Sequence, residues 1–250
     1  MEAVRHSGPM LRTIELRTDK VPSFDVYPFS VPSIRGMRTI ELTSRVTFFI
    51  GENGSGKSTL MEAVAVAFGF GPEGGSRNVQ AQTTSSNAAT RPLADALRLS
   101  WRQKLLAGYF LRAESFFNIA TYIDDMGHLD SYGGVPLHSR SHGESFLALM
   151  QNRMGPGGFY MMDEPESALS PQRQLTAMVW MHDRLAEDPR TQFLIATHSP
   201  LLLAFPGAQI LSFDDGEIQE VKYTDTPGYA IYKAFFRDPT RFVERLFEDG

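Results

Sequence analysis

The sequence predicts an α/β fold, a mostly parallel sheet flanked by helices and preceded by an antiparallel β subdomain. Three observations lead there. The second half alternates short apolar runs with stretches of helical periodicity, the pattern of parallel strands joined by crossover helices. Between residues 46 and 68 an apolar strand runs into a glycine-rich loop and then, without a breaker, into a helix. The first fifty residues instead read as short strands broken by Pro22, Pro28, Pro32 and Gly36, which suits antiparallel pairing.

Taken in order, strands are expected at Leu11–Arg17, Arg38–Leu42 and Val46–Ile50. The phrase RTIEL occurs at both Arg12–Leu16 and Arg38–Leu42, and two strands of like pattern explain it better than a repeat fold. Residues 71–89 are rich in Gly, Ser, Thr, Asn and Gln, so 71–107 is expected to be a variable, partly flexible insertion. Gly108–Ala113 resumes as a strand, Phe116–Ile123 looks helical, and a polar stretch Asp124–His142 follows. Glu144–Met154 gathers Phe146, Leu147, Leu149, Met150 and Met154 on one helical face. Phe159–Met162 and Phe193–Ala196 are apolar throughout, as strands covered on both faces must be. Between them Ser170-Pro171 starts a helix expected to run to about Glu187. A short helix near Pro200, a hairpin over Ala208–Val221 turning at Asp215-Gly216, and helices from Tyr229 complete the chain.

At 250 residues the chain suits one domain spanning 1–250. Hydrophobic residues make up 42% and charged residues 21%, ordinary globular usage. The absence of cysteine excludes disulfide frameworks and thiolate zinc sites and makes a cytoplasmic setting the expectation. No apolar run reaches the length of a membrane helix, so no integral membrane segment is expected. A net charge of −5 makes no general case for nucleic acid, although a local basic patch stays open.

The chemistry concentrates in three places. Gly51-Glu52-Asn53-Gly54-Ser55-Gly56-Lys57-Ser58 fits G-x-x-x-x-G-K-[ST] in the strand–loop–helix context that gives this motif its meaning. Its backbone N–H groups, continuing through Thr59, would cradle phosphate oxygens at a helix N-terminus. Lys57 would reach the β- and γ-phosphates, and the Ser58 hydroxyl would bind Mg²⁺. Asp163 then stands at the carboxyl end of an apolar strand, the edge where ligands collect in such sheets, as a second holder of the magnesium. Glu164 follows it, placed to orient or deprotonate the attacking water. His198, just beyond the next strand, would bring its imidazole near Glu164 and the γ-phosphate. ATP and Mg²⁺ are therefore the expected substrate and cofactor, and ATP hydrolysis the expected reaction.

These residues resemble, in motif order, the ABC-type ATPases: GENGSGKST, then SHGES at Ser141–Ser145, then FYMMDEPESALS, then ATHSP. The likeness spans about Val46–Phe213 and is nearest to short stand-alone predicted ATPases related to SMC-like and RecF-like proteins. It implies a signature motif at Ser141, His142, Gly143 and Glu144, a D-loop at Ser167–Ser170 and a switch histidine at His198. In that resemblance Ser141, Gly143 and Glu144 complete the ATP site of a second subunit, giving a head-to-tail homodimer. Where the family has a Q-loop glutamine this chain has Glu114, a candidate either for the same magnesium- and water-sensing role or for a surface carboxylate starting the next helix. Phe24, Tyr27 and Phe29 are the candidates to stack on adenine. A cytosolic ATPase switch acting on an unidentified effector protein or nucleic acid, in DNA repair or phage defence, is the leading expectation. The nucleotide-binding subunit of a membrane transporter is the alternative, disfavoured by the short, polar segment between Lys57 and Ser141.

Overall fold

The computed structural model describes residues 8–77, 86–116, 139 and 141–248. Two sheets organise them. Strands β1 (Leu11–Leu16), β2 (Thr39–Glu41) and β4 (Leu97–Trp101) form an antiparallel sheet in the order β2-β1-β4. Strands β3 (Val46–Ile50), β5 (Gly108–Arg112), β6 (Phe159–Asp163), β7 (Gln192–Ala196), β8 (Gln209–Ser212) and β9 (Gln219–Glu220) form the larger sheet. Its order is β5-β6-β7-β3-β8-β9, with every pair parallel except the terminal β8–β9 hairpin.

The two RTIEL copies pair with each other. Ile14 lies opposite Ile40, flanked by Thr13 with Glu41 and Glu15 with Thr39, so the alternation turns both isoleucines into one core. The inner strands of the large sheet are mostly apolar on successive residues because both faces are covered. Phe49, Phe110, Met161 and Leu194 pack with helix α2 (Lys57–Phe68), helix α3 (Ser86–Ala96) and the antiparallel sheet. Phe48, Tyr160, Met162 and Ile195 pack on the other side with helices α4 (His142–Arg153) and α5 (Pro171–Glu187). Buried Gln192 ties the two sheets together, its side chain accepting from Leu11 N–H at 2.8 Å and donating to Leu11 C=O at 3.1 Å.

The segment expected to be a variable, partly flexible insertion over 71–107 includes regular structure among its described residues. Residues 86–96 are helix and 97–101 are the strand that completes the antiparallel sheet. Pro92 inside the helix and the polar run before it hid the helical period, while Leu97, Leu99 and Trp101 alternate toward the core. The helix expected over Phe116–Ile123 lies outside the described residues after Phe116, as does nearly all of Asp124–Arg140. Beyond helix α6 (Pro200–Leu203) and the hairpin, helices α7 (Pro227–Arg237) and α8 (Pro239–Glu248) pack on each other through Phe235 and Phe242 and contain no buried residue. No helix of the described residues is long and apolar enough to cross a membrane.

Candidate nucleotide site

Strands β3, β6 and β7 end side by side, and each delivers part of one site. The loop after β3 turns through positive φ at Gly51, Gly54 and Gly56 before α2 begins at Lys57. Gly56 is required twice over. Its φ is 103°, and a Cβ there would meet Ser33 Oγ at 2.6 Å and Val31 Cγ1 at 2.8 Å. Ser33 itself is buried on helix α1 (Pro32–Gly36) and donates a short hydrogen bond to Ser55 C=O, so the N-terminal segment braces the loop from behind.

The Lys57 ammonium is buried and folds back to donate to the carbonyls of Gly51 at 2.6 Å and Glu52 at 2.9 Å. Burial lowers its pKa below the usual ammonium value, against the upward pull of Glu164, Asp214, Asp163 and Glu52. Ser58 donates to Asp163 Oδ1 at 3.1 Å, which joins the first turn of α2 to the end of β6. Asp163 is 5% exposed. Burial pushes its carboxyl up to about 6; Arg112, the Ser58 hydrogen bond and Lys57 pull it down, while Glu164 pushes further up.

Glu164 occupies the left-handed region at φ 51°, ψ 51°, with its N–H on Ala196 C=O at 2.9 Å and a half-exposed side chain. Its Oε1 lies 3.9 Å from His198 Nε2. Glu166, not singled out in the sequence, fixes the histidine's loop. Its carboxylate accepts from Thr197 Oγ1 at 2.7 Å and from His198 N–H at 2.5 Å. Asn53, Gly54, Gly56, Lys57, Ser58, Thr59, Glu164 and His198 line one cavity of about 440 Å³. Glu52 and Ser55 line a neighbouring cavity on the β8 side, where Asp214 Oδ1 accepts from Glu52 N–H at 2.8 Å.

The remaining expected residues stand apart. Ser141, Gly143 and Glu144 do not line the cavity; they form the start of α4, where Glu144 Oε2 accepts from Ser141 N–H at 2.9 Å and Ser141 Oγ at 2.7 Å. Arg173, another residue missed in the sequence, closes this turn with 3.1 Å contacts to Ser141 Oγ and Glu144 Oε1. Gly143 makes room for it, since a Cβ would meet Arg173 Nη1 at 2.6 Å and Ala168 C=O at 2.9 Å. Glu114 does not line the cavity either; its side chain is 86% exposed and reaches the site only through Arg112, 3.4 Å away. Of the adenine candidates, Phe29 is buried and Phe24 packs against the core, whereas Tyr27 is exposed with its hydroxyl 3.3 Å from Thr59 Oγ1.

Two family models match the chain. One, described as "AAA domain", covers residues 30–96, the P-loop unit. The other, described as "AAA domain, putative AbiEii toxin, Type IV TA system", covers residues 128–204, from before the α4 turn through Asp163, Glu164 and His198. Both models are of AAA domains, and each covers less than half of the chain. The likeness to these ATPase domains, together with the loop after β3, supports nucleotide binding and ATP hydrolysis. No curated protein matches it. Among solved structures, the SMC head domain from Thermotoga maritima is 19% identical, with 85% of this chain and 98% of that chain covered at a TM-score of 0.42. CbiO1 from Clostridium perfringens, part of the ABC transporter complex cbiONQ, is 17% identical over 85% and 91%, at 0.47. The ATP-binding cassette MJ1267 of an ABC transporter is 17% identical over 90% and 98%, also at 0.47.

The residues fit ATP with magnesium. Ser58 and Asp163 offer a hydroxyl and one carboxylate beside the phosphate loop, a donor set suited to a cation that shares its coordination with substrate phosphates. Among the described residues no cluster of three or more His, Cys, Asp or Glu side chains is placed to hold a metal unaided.

Proposed function

We propose that this ATPase is a switch: ATP joins two copies head to tail, and hydrolysis releases them. The observation that carries this reading is the division of the motifs. Lys57, Ser58, Glu164 and His198 share one cavity, while the capped turn at Ser141 stands outside it and presents an exposed hydroxyl. A second copy's turn would then supply the N–H groups that the first copy's cavity lacks on its open side.

Within one site, the loop amides and Lys57 bind and neutralise the phosphates, and Tyr27 stacks on the adenine. Ser58 and Asp163 hold the magnesium, which when bound would offset the charge developing on the β- and γ-oxygens. Glu164 takes the proton of the attacking water or orients it, and His198, held by Glu166, lies beside both. Glu114 joins the magnesium side only if its carboxylate leaves Arg112. The setting we favour is a cytoplasmic one, with an effector protein or nucleic acid as the partner whose state the switch controls. DNA repair and phage defence both remain open as the process, and the description of the second matched model, a putative toxin of a type IV TA system, points away from neither. The transporter reading is disfavoured because, of the described residues between Lys57 and Ser141, only 86–96 form a further helix, and 97–101 are the strand that completes the antiparallel sheet.

Light scattering on Glu164→Gln tests this reading. With ATP and Mg²⁺ the variant should run as a dimer, and turnover should fall at least about a hundredfold, the scale of general-base loss. Adding Ser141→Arg should abolish that dimer while leaving ATP binding at Lys57 intact. A monomer in the Glu164→Gln background, or a dimer that tolerates Ser141→Arg, would refute the shared site.

A further inference from the structure

A buried cation sits at the metal end of this site that the phosphate loop does not require. Arg112 is the last residue of β5, opposite Asp163 in the strand register, and its side chain is 13% exposed. Its guanidinium spreads over three carboxylates and a carbonyl. Nη1 lies 3.3 Å from Glu62 Oε2 and 3.1 Å from Pro72 C=O, Nη2 lies 3.4 Å from Glu114 Oε2, and Nε, which makes no hydrogen bond, is an ion-pair neighbour of Asp163 Oδ2 at 3.5 Å. Glu62 is itself buried on α2 and accepts from Thr90 Oγ1 at 2.6 Å through its other oxygen. The Asp163 carboxylate is thereby divided, with Oδ1 toward Ser58 and Oδ2 toward the arginine.

We propose that Arg112 is the positioning residue of Asp163: it fixes Oδ2 so that Oδ1 stays turned to Ser58, where magnesium is held, and Glu62 fixes the guanidinium in turn. This rests on the magnesium site proposed above. A carboxylate with one oxygen drawn to a fixed cation is restrained from turning when the site is empty, so the magnesium would meet a ligand already aimed. The task suits arginine, whose planar fork serves acceptors lying in several directions, where a lysine ammonium acts as a point charge. The same guanidinium holds the Gly71–Gly75 segment against β5 through Pro72, alongside the Gly75–Phe110 backbone pair.

The test compares ATP affinity in EDTA with ATP affinity in Mg²⁺, by calorimetry, for the parent protein and its variants. The EDTA value reads the P-loop and the fold, and the ratio of the two values reads the metal site. Arg112→Met should lower that ratio by about tenfold or more, the range seen when the partner of a metal ligand is removed, with the EDTA value within about twofold. Arg112→Met with Glu62→Gln, which removes the buried carboxylate left uncompensated, should fold as the parent does and show the same lowered ratio. Arg112→Lys should recover only part of it. An unchanged ratio in the folded double variant would overturn the proposal, as would complete recovery by lysine. Asp163→Asn separates the two levels of argument. If that variant keeps the parental ratio, the magnesium site itself is wrongly placed; if it loses the ratio while Arg112→Met does not, only the role of Arg112 fails.

Discussion

The pH dependence of magnesium binding follows from the burial of Asp163. Burial pushes its carboxyl up to about 6, and a magnesium held there as proposed would need it ionised. The ionised fraction falls from about nine tenths at pH 7 to about one tenth at pH 5, so the magnesium-dependent gain in ATP affinity should drop by about tenfold over that interval. The terminal phosphate of ATP titrates in a similar range, and Asp163→Asn carries that contribution alone, so the measured quantity is the difference between parent and variant. Calorimetric titrations at half-unit steps from pH 5 to 8 would supply it. The sign for stability is opposite to that of most carboxylates. A folded value raised above the ordinary 3.8 favours the fold below that value, and the advantage is lost as pH rises through about 6. Between pH 5 and pH 7 the nucleotide-free protein should lose about 1.4 kcal/mol from this group, out of a full span of about 3 kcal/mol. A magnesium gain that is flat across pH 5 to 8, or an Asp163→Asn variant with the parental slope in both measurements, would refute the reasoning.

Other outcomes follow from the same geometry. Lys57→Ala should weaken ATP binding by about a hundredfold, the upper end for a charge-assisted hydrogen bond in a water-poor loop, and calorimetry on the folded variant checks it. Tyr27→Ala should cost about 1–3 kcal/mol of ATP affinity and Tyr27→Phe little, measured by competition with a fluorescent ATP analogue. Gly143→Ala should lower stability by about 1–3 kcal/mol in thermal melts by driving Arg173 off the α4 turn. It should also weaken ATP-dependent dimerisation in the Glu164→Gln background, with ATP binding to the single chain unaffected.

Much of this molecule was legible in the sequence because its chemistry is local. The phosphate loop lies within nine residues, and the strand–loop–helix context needed only the apolar run before Gly51 and the unbroken stretch after Ser58. The places of Asp163 and Glu164 were readable from Phe159–Met162, since a wholly apolar strand of a parallel sheet ends at the edge where the loop after β3 also lies, although an acidic pair there reads equally well as a capping turn when the loop is left out. The residues that escaped notice act across long separations. Arg112 draws its meaning from Glu62 and Asp163, and Arg173 from Ser141 and Glu144; no spacing rule links them. Tyr27 and Phe29 are two positions apart and chemically alike, and only the packed structure shows that one is exposed at the loop and the other is core. The strand Leu97–Trp101 was passed over because its partner, β1, lies at the other end of the subdomain.

The left-handed backbone at Glu164 bears on which sequences this position can accept. A side-chain-bearing residue at φ 51°, ψ 51° costs on the order of 1 kcal/mol or more relative to glycine, and asparagine tolerates that region better than glutamate does. Selection for folding alone would therefore drift toward glycine or asparagine here, and every such replacement would silence the water-activating step while making the protein harder to unfold. A glutamate held there fits the water-activating role proposed for it, at that cost in stability. Copies released from a demand for turnover should decay first at this residue, passing through a stage in which they bind ATP, fold more robustly than their ancestor and no longer let go.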